Sequence, residues 1–157
     1  MRAGMTLVLD DRLRAEFKIE GDWPILVRHQ VRWSEVDAYA HVNHTSYLEW
    51  YEDCRIRAMA EVGHELKADE PGPVLAKLEA EYHKPLHYRD EVLYGGRVVS
   101  FRRSSLVMAF GTWKRSVGIV NRATTLLVMF VNATGEKAAV PENARRIWRE
   151  RHGAKGG

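Results

Sequence analysis

From Ile25 to Trp33 the chain alternates. Ile25, Val27, His29, Val31 and Trp33 fall on one side of an extended backbone, and Leu26, Arg28, Gln30 and Arg32 on the other. That two-residue period predicts a half-buried β-strand. The polar, turn-rich stretch "SEVDAYAHVNHTS" follows, and then the period changes. Tyr47, Tyr51, Cys54, Arg55, Ala58 and Val62 form one stripe of a long helix, while Glu49, Glu52, Asp53 and Arg57 lie elsewhere around it. Thr45 or Ser46 is placed to cap its start and Gly63 to stop it. The small Cys54 and Ala58 on the stripe predict a helix lying close against a sheet.

Beyond "DEPGP", four more extended segments are predicted, over 74–84, 90–101, 105–115 and 121–132. Short connections favour antiparallel neighbours. Pro141 opens a short C-terminal helix in "PENARRIWRERH", and "GAKGG" reads as a frayed end. Residues 1–22 have no sustained period and read as an arm with a short helix around Leu7 to Phe17. The plan is therefore an arm (1–22), one α+β domain (23–140) and a terminal helix with tail (141–157). In it a five-stranded antiparallel sheet wraps around one central helix, the element able to cover its apolar face. The sheet's other face is left to a partner subunit or to water.

Composition narrows the classes. A length of 157 residues with 45% hydrophobic and 29% charged content suits one globular domain with its own core. One cysteine, Cys54, excludes an intrachain disulfide and fits a reducing cytoplasm. No apolar run approaches the ~20 residues of a membrane span, and charge interrupts the first residues too early for a secretory signal. The net charge of +3 admits anionic ligands without naming one. Basic residues interleave with 21 acids and no RNA-binding strand motif occurs, so neither nucleic acid nor membrane is an expected partner.

The chemistry concentrates in "VDAYAHVNHTSYLEWYEDCR". Asp37 just ahead of a helix start suits turn capping, metal binding or catalysis. His41 and His44, with His83, His87 and Cys54, are the metal candidates, but no third ligand lies at local spacing and Cys54 falls on the buried stripe, so no metal is expected. Glu35 is expected to be solvated or paired with an arginine, and Glu52 to pair with Arg55 three residues on. The arginines 145, 146, 149 and 151 read as a solvated helix face. Tyr39, Tyr47, Trp50, Tyr51 and Met59 are candidates for a pocket wall or, for most of them, the core.

"VRWSEVDAYAHVNHTSYLEWYEDCR", with "EAEYHKPLHYRDEV" and "VVSFRRSSL", resembles the signature of the 4-hydroxybenzoyl-CoA thioesterase family over about residues 25 to 145. The resemblance implies a hotdog fold, acyl-CoA thioester hydrolysis and a homodimer or dimer of dimers. It implies no cofactor, coenzyme A being part of the substrate. Asp37 would attack the carbonyl or deprotonate water. The amide at the helix start, His44 with Asn43 beside it, would hold the oxyanion, because unpaired N–H groups and a positive dipole end meet there. His41, packed beneath the loop, and Tyr47 would border the substrate. Arg103, Ser104 and Ser105 either reach the coenzyme's phosphates or form an ordinary basic turn. Ala40 stands where the family's turn carries glycine, which predicts a reshaped loop. Two further readings stay open: a thioesterase acting on an acyl carrier protein, and a non-catalytic ligand-binding module.

Overall fold

The computed structural model describes residues 5–157, so residues 1–4 of the arm lie outside the described residues. The elements run α1 (Asp11–Phe17), β1 (Ile25–Gln30), α2 (His44–Ala60), β2 (Pro71–Tyr82), β3 (Glu91–Phe101), β4 (Ser105–Lys114), β5 (Gly118–Val131), β6 (Glu136–Lys137), α3 (Glu142–His152) and β7 (Lys155–Gly156). A 3-10 turn, Trp33–Glu35, replaces the expected end of the first strand. The sheet order is β1-β3-β4-β5-β2, with antiparallel neighbours throughout. It curls around α2 in the α+β hotdog arrangement. No helix among the described residues is long and apolar enough to cross a membrane.

Helix α2 lies close because the residues between it and the sheet are small. A Cβ added at Gly96 of β3 would sit 2.9 Å from the Cβ of Cys54. Tyr51 stacks on Phe110 at 4.9 Å. Each such large buried side chain is worth about 1.5–3 kcal/mol in apolar burial. The Tyr51 hydroxyl, buried with them, bonds Thr112 at 2.8 Å and donates to Asn121. Asn121 in turn donates to the Glu81 carbonyl at 2.9 Å, so one buried polar chain ties α2 to β4, β5 and β2. Burial also pushes the Tyr51 phenol well above its ordinary pKa, which keeps it neutral.

Three expectations are corrected. The sheet's outer face is not left wholly to a partner or to water. Leu26, Leu93 and Trp113 there form a second core with Leu13, Phe17 and Ile19 of the chain's own arm. The tail is not frayed: β7 pairs in parallel with the end of β3, Ala154 is buried, and with β6 the sheet reaches seven strands. Arg145 does not belong to a solvated face. Its guanidinium donates to the Val140, Arg102 and Arg103 carbonyls and lies over Phe101, bracing the β3–β4 turn.

Candidate active site

The loop between β1 and α2 is a small hairpin. Val36 and Val42 bridge each other, the Asp37 amide donates to the His41 carbonyl at 2.8 Å, and the Ala40 amide donates to the Asp37 carbonyl at 3.0 Å. The turn needs one left-handed residue, and Ala40 supplies it with φ +60°. The backbone conformation that suits glycine is therefore kept, at a strain of about 1–2 kcal/mol for the Cβ.

Asp37 divides its two oxygens. Oδ1 accepts from the Tyr39 amide at 2.8 Å and the His41 amide at 3.3 Å, which fixes the carboxylate on the turn. Oδ2 has no hydrogen-bond partner among the described residues and is the oxygen available to a ligand. Turn capping and availability for chemistry thus coexist in one side chain.

The helix start is capped by Asn43, not by Thr45 or Ser46. Its Oδ1 accepts from the Thr45 amide and hydroxyl, each at 3.0 Å. The Asn43 amide donates to the Glu35 carbonyl and the Ser46 amide to the Asn43 carbonyl. With these satisfied, the His44 amide is left without a partner among the described residues, at the positive end of a 17-residue helix.

Asp37 and His44 line one open cavity of about 340 Å³. His41 and Tyr47 join them from the loop and helix, and Tyr82 through Pro85 close it from the end of β2. Tyr47 packs edge-on against Tyr82 at 5.4 Å. Burial, with nearby Tyr82 and Asp90, pushes the Tyr47 phenol above its ordinary value, so it presents a neutral hydroxyl. Lys84 adds a positive charge to the lining. Of the segment 82–85, within "YHKPL", the sequence singles out only His83, as a metal candidate. The segment's period marks a strand end without saying which loop that end meets.

Other expected residues fall elsewhere. His41 is exposed and lies edge-on to His87 at 5.3 Å, not packed beneath the loop. Tyr39 is 83% exposed, while Trp50, Tyr51 and Met59 are core. Among the described residues no three His, Cys, Asp or Glu side chains converge as metal ligands. Glu52 and Arg55 do pair, at 3.4 Å. Arg103, Ser104 and Ser105 follow the far end of β3, whereas Asp90, whose carbonyl accepts from the Val31 amide, precedes its near end. At about 3.3 Å per residue the length of β3 separates them from the Asp37 loop by roughly 30 Å. One chain does not bring them together.

Glu35 is neither solvated nor paired with arginine. Its carboxylate accepts from His29 Nε2 at 2.8 Å, from the Arg32 amide at 2.8 Å and from Trp50 Nε1 at 3.0 Å. Burial works to raise its pKa, but these three donors outweigh it and the net value is lowered. This network pins the loop that carries Asp37 to α2, whose first residue His44 lines the same cavity.

A carboxylate and a bare helix-terminal amide on residues lining one cleft are equipment for attack on a carbonyl. The comparisons agree on the class. Residues 31–147 match the Thioesterase-like superfamily, and the chain belongs to it. A thioesterase superfamily protein from Jannaschia sp. CCS1 is 26% identical, with 93% of this chain and 94% of that one aligned at a TM-score of 0.81. A thioesterase from Thermus thermophilus, solved in complex with coenzyme A and Zn, is 30% identical over 83% of this chain and 96% of that one, at a TM-score of 0.73. No curated protein matches the chain.

Proposed function

We propose that this protein is an acyl-CoA thioesterase, of the kind the 4-hydroxybenzoyl-CoA thioesterase motif implied, that hydrolyses a thioester to a carboxylic acid and free CoA. The observation that carries the reading is the pairing of the unengaged Asp37 Oδ2 with the unengaged His44 amide on one cavity. The coenzyme A complex of the Thermus relative supports the choice of substrate class.

In this reading the thioester carbonyl oxygen points at the His44 amide, which with the helix dipole stabilises the charge that develops on it. Asp37 either attacks the carbonyl carbon or takes a proton from a water that does. The CoA thiolate leaves, and an anhydride formed by the first route is hydrolysed in a second step. Asn43 positions the amide by capping the helix, His41 and Tyr47 border the acyl group, and Lys84 favours a phosphorylated ligand.

The working unit is a homodimer joined through β2. That strand is a sheet edge and leaves Val74 and Leu75 39% and 45% exposed. Two-fold antiparallel pairing of β2 edges sets the start of one against the end of the other. Ser105 is level with Val74 across β4, β5 and β2. The partner's Arg103, Ser104 and Ser105 would thus come to the Tyr82 end, where the cavity lies, within reach of an extended coenzyme.

Steady-state hydrolysis of an acyl-CoA panel tests the proposal. The wild type is expected to turn over at least one member, and Asp37→Asn, which retains an oxygen for the turn, to lose about two or more orders of magnitude in kcat. Full activity in Asp37→Asn, or no hydrolysis of any acyl-CoA by the wild type, overturns it.

A further inference from the structure

A second cavity, of about 470 Å³, opens on the outer face of the sheet, away from Asp37. Its floor is low because the outward positions of the middle strand are small. Ala109 stands between Arg97 on β3 and Thr124 on β5, and Gly111 between Gly95 and Arg122. Trp113 folds its ring over Gly111, where an added Cβ would meet it at 2.6 Å. Trp23, just past the arm, stands edge-on to Trp113 at 4.7 Å, so two indoles form one wall.

The polar lining is cationic. Lys18, Arg97 and Arg122 border the cavity against a single carboxylate, Glu20. Among the described residues none of the three cations has an ion-pair partner. Of the nearby β2 acids, Glu79 pairs with Lys77, while Glu81, level with Arg122 across the ladder, has its side chain 74% exposed and outside the cavity lining. Arg97 lies with its guanidinium carbon 5.2 Å from the Trp23 ring centroid, yet its Nε is buried without a hydrogen-bond acceptor. Its two Nη nitrogens likewise donate to nothing among the described residues but are not buried, so an anion in the cavity would give the guanidinium the acceptor it lacks. Arg97 and Arg122 stand on strands two apart and two residues out of level, about 12 Å at ~4.8 Å per strand and ~3.3 Å per residue, which leaves room for a ring between them.

We propose that this cavity is a binding site, separate from the Asp37 site, for a small anion carried on an aromatic ring. The indole wall receives the ring, and Arg97 with Arg122 holds the carboxylate or phosphate in fork geometry. The site stands on its own residues and does not depend on Asp37 being catalytic.

Isothermal titration of the full chain with 2-naphthoate, adenosine 5′-monophosphate and inorganic phosphate tests it. At least one aromatic anion is expected to bind once per chain, and roughly tenfold or more tighter than phosphate. Arg97→Met, which keeps the packed stem, and Arg122→Met, at the exposed rim, should each weaken it roughly tenfold, the scale of one lost charge-assisted hydrogen bond. Asp37→Asn should leave it unchanged. Preference for the nucleotide marks a phosphorylated heterocycle as the ligand class, and preference for naphthoate an aromatic carboxylate. Absence of binding by both aromatic anions at millimolar concentration, affinity no better than phosphate, or full affinity in both arginine variants overturns the proposal.

Discussion

Ala40 concentrates the trade between conformation and side chain at the site. Its φ of +60° places a Cβ where the backbone suits none, and the bonds around it hold it there: its own amide on the Asp37 carbonyl, and the Asp37–His41 pair across the turn. Relief of that strain, less the extra freedom glycine brings to the unfolded chain, leaves a net gain of about 0.5–1 kcal/mol for Ala40→Gly. Urea unfolding should therefore show a higher midpoint for Ala40→Gly with an unchanged slope. A lower midpoint would mean that the alanine methyl is held by something other than the turn. At this scale the sequence was informative about Asp37 because short-range rules govern it. A carboxylate two residues before a free amide favours the turn bond locally, and Asp37 makes it to the Tyr39 amide. His41 was less legible, since its surroundings depend on which distant strand end, here Tyr82 to Pro85, arrives beside the loop.

Between elements, the carboxylate of Glu35 joins the end of β1, the 3-10 turn and α2 through His29, the Arg32 amide and Trp50. Its pKa is lower in the folded chain than in the unfolded one. It therefore contributes stability that is complete above the unfolded carboxyl value, about 4.3, and is lost as pH falls through the lower folded value. Chemical denaturation from pH 7 to 3 should show the wild type losing its advantage over Glu35→Gln across that acid window. A constant difference between the two at every pH would show that the carboxylate's charge is not what matters. The elements themselves were largely readable, because periods of two and 3.6 residues are local properties. Their partners were not. The sequence does not say that β2 skips β3 and pairs with β5, that the arm returns to cover Leu26 and Trp113, or that "GAKGG" closes on Phe101. Each of those contacts joins segments far apart in the chain, and no local pattern encodes the far end.

For the whole molecule the deciding feature is the β2 edge. Val74 and Leu75 expose apolar surface on a strand with a free ladder, an arrangement that favours a second copy. Sedimentation velocity at micromolar concentration is expected to show a dimer, and the double variant Val74→Lys, Leu75→Lys a folded monomer with lost hydrolysis. A wild-type monomer that retains full turnover would remove the partner's Arg103 from the coenzyme's path. Cys54 offers one practical consequence. It is the chain's single cysteine, fully enclosed between α2 and Gly96, and burial pushes its thiol far above the range in which a thiolate forms. The native protein is thus already a silent background for thiol-directed spectroscopy. A cysteine introduced beside either cavity can carry a fluorophore or spin label without competition from within the fold.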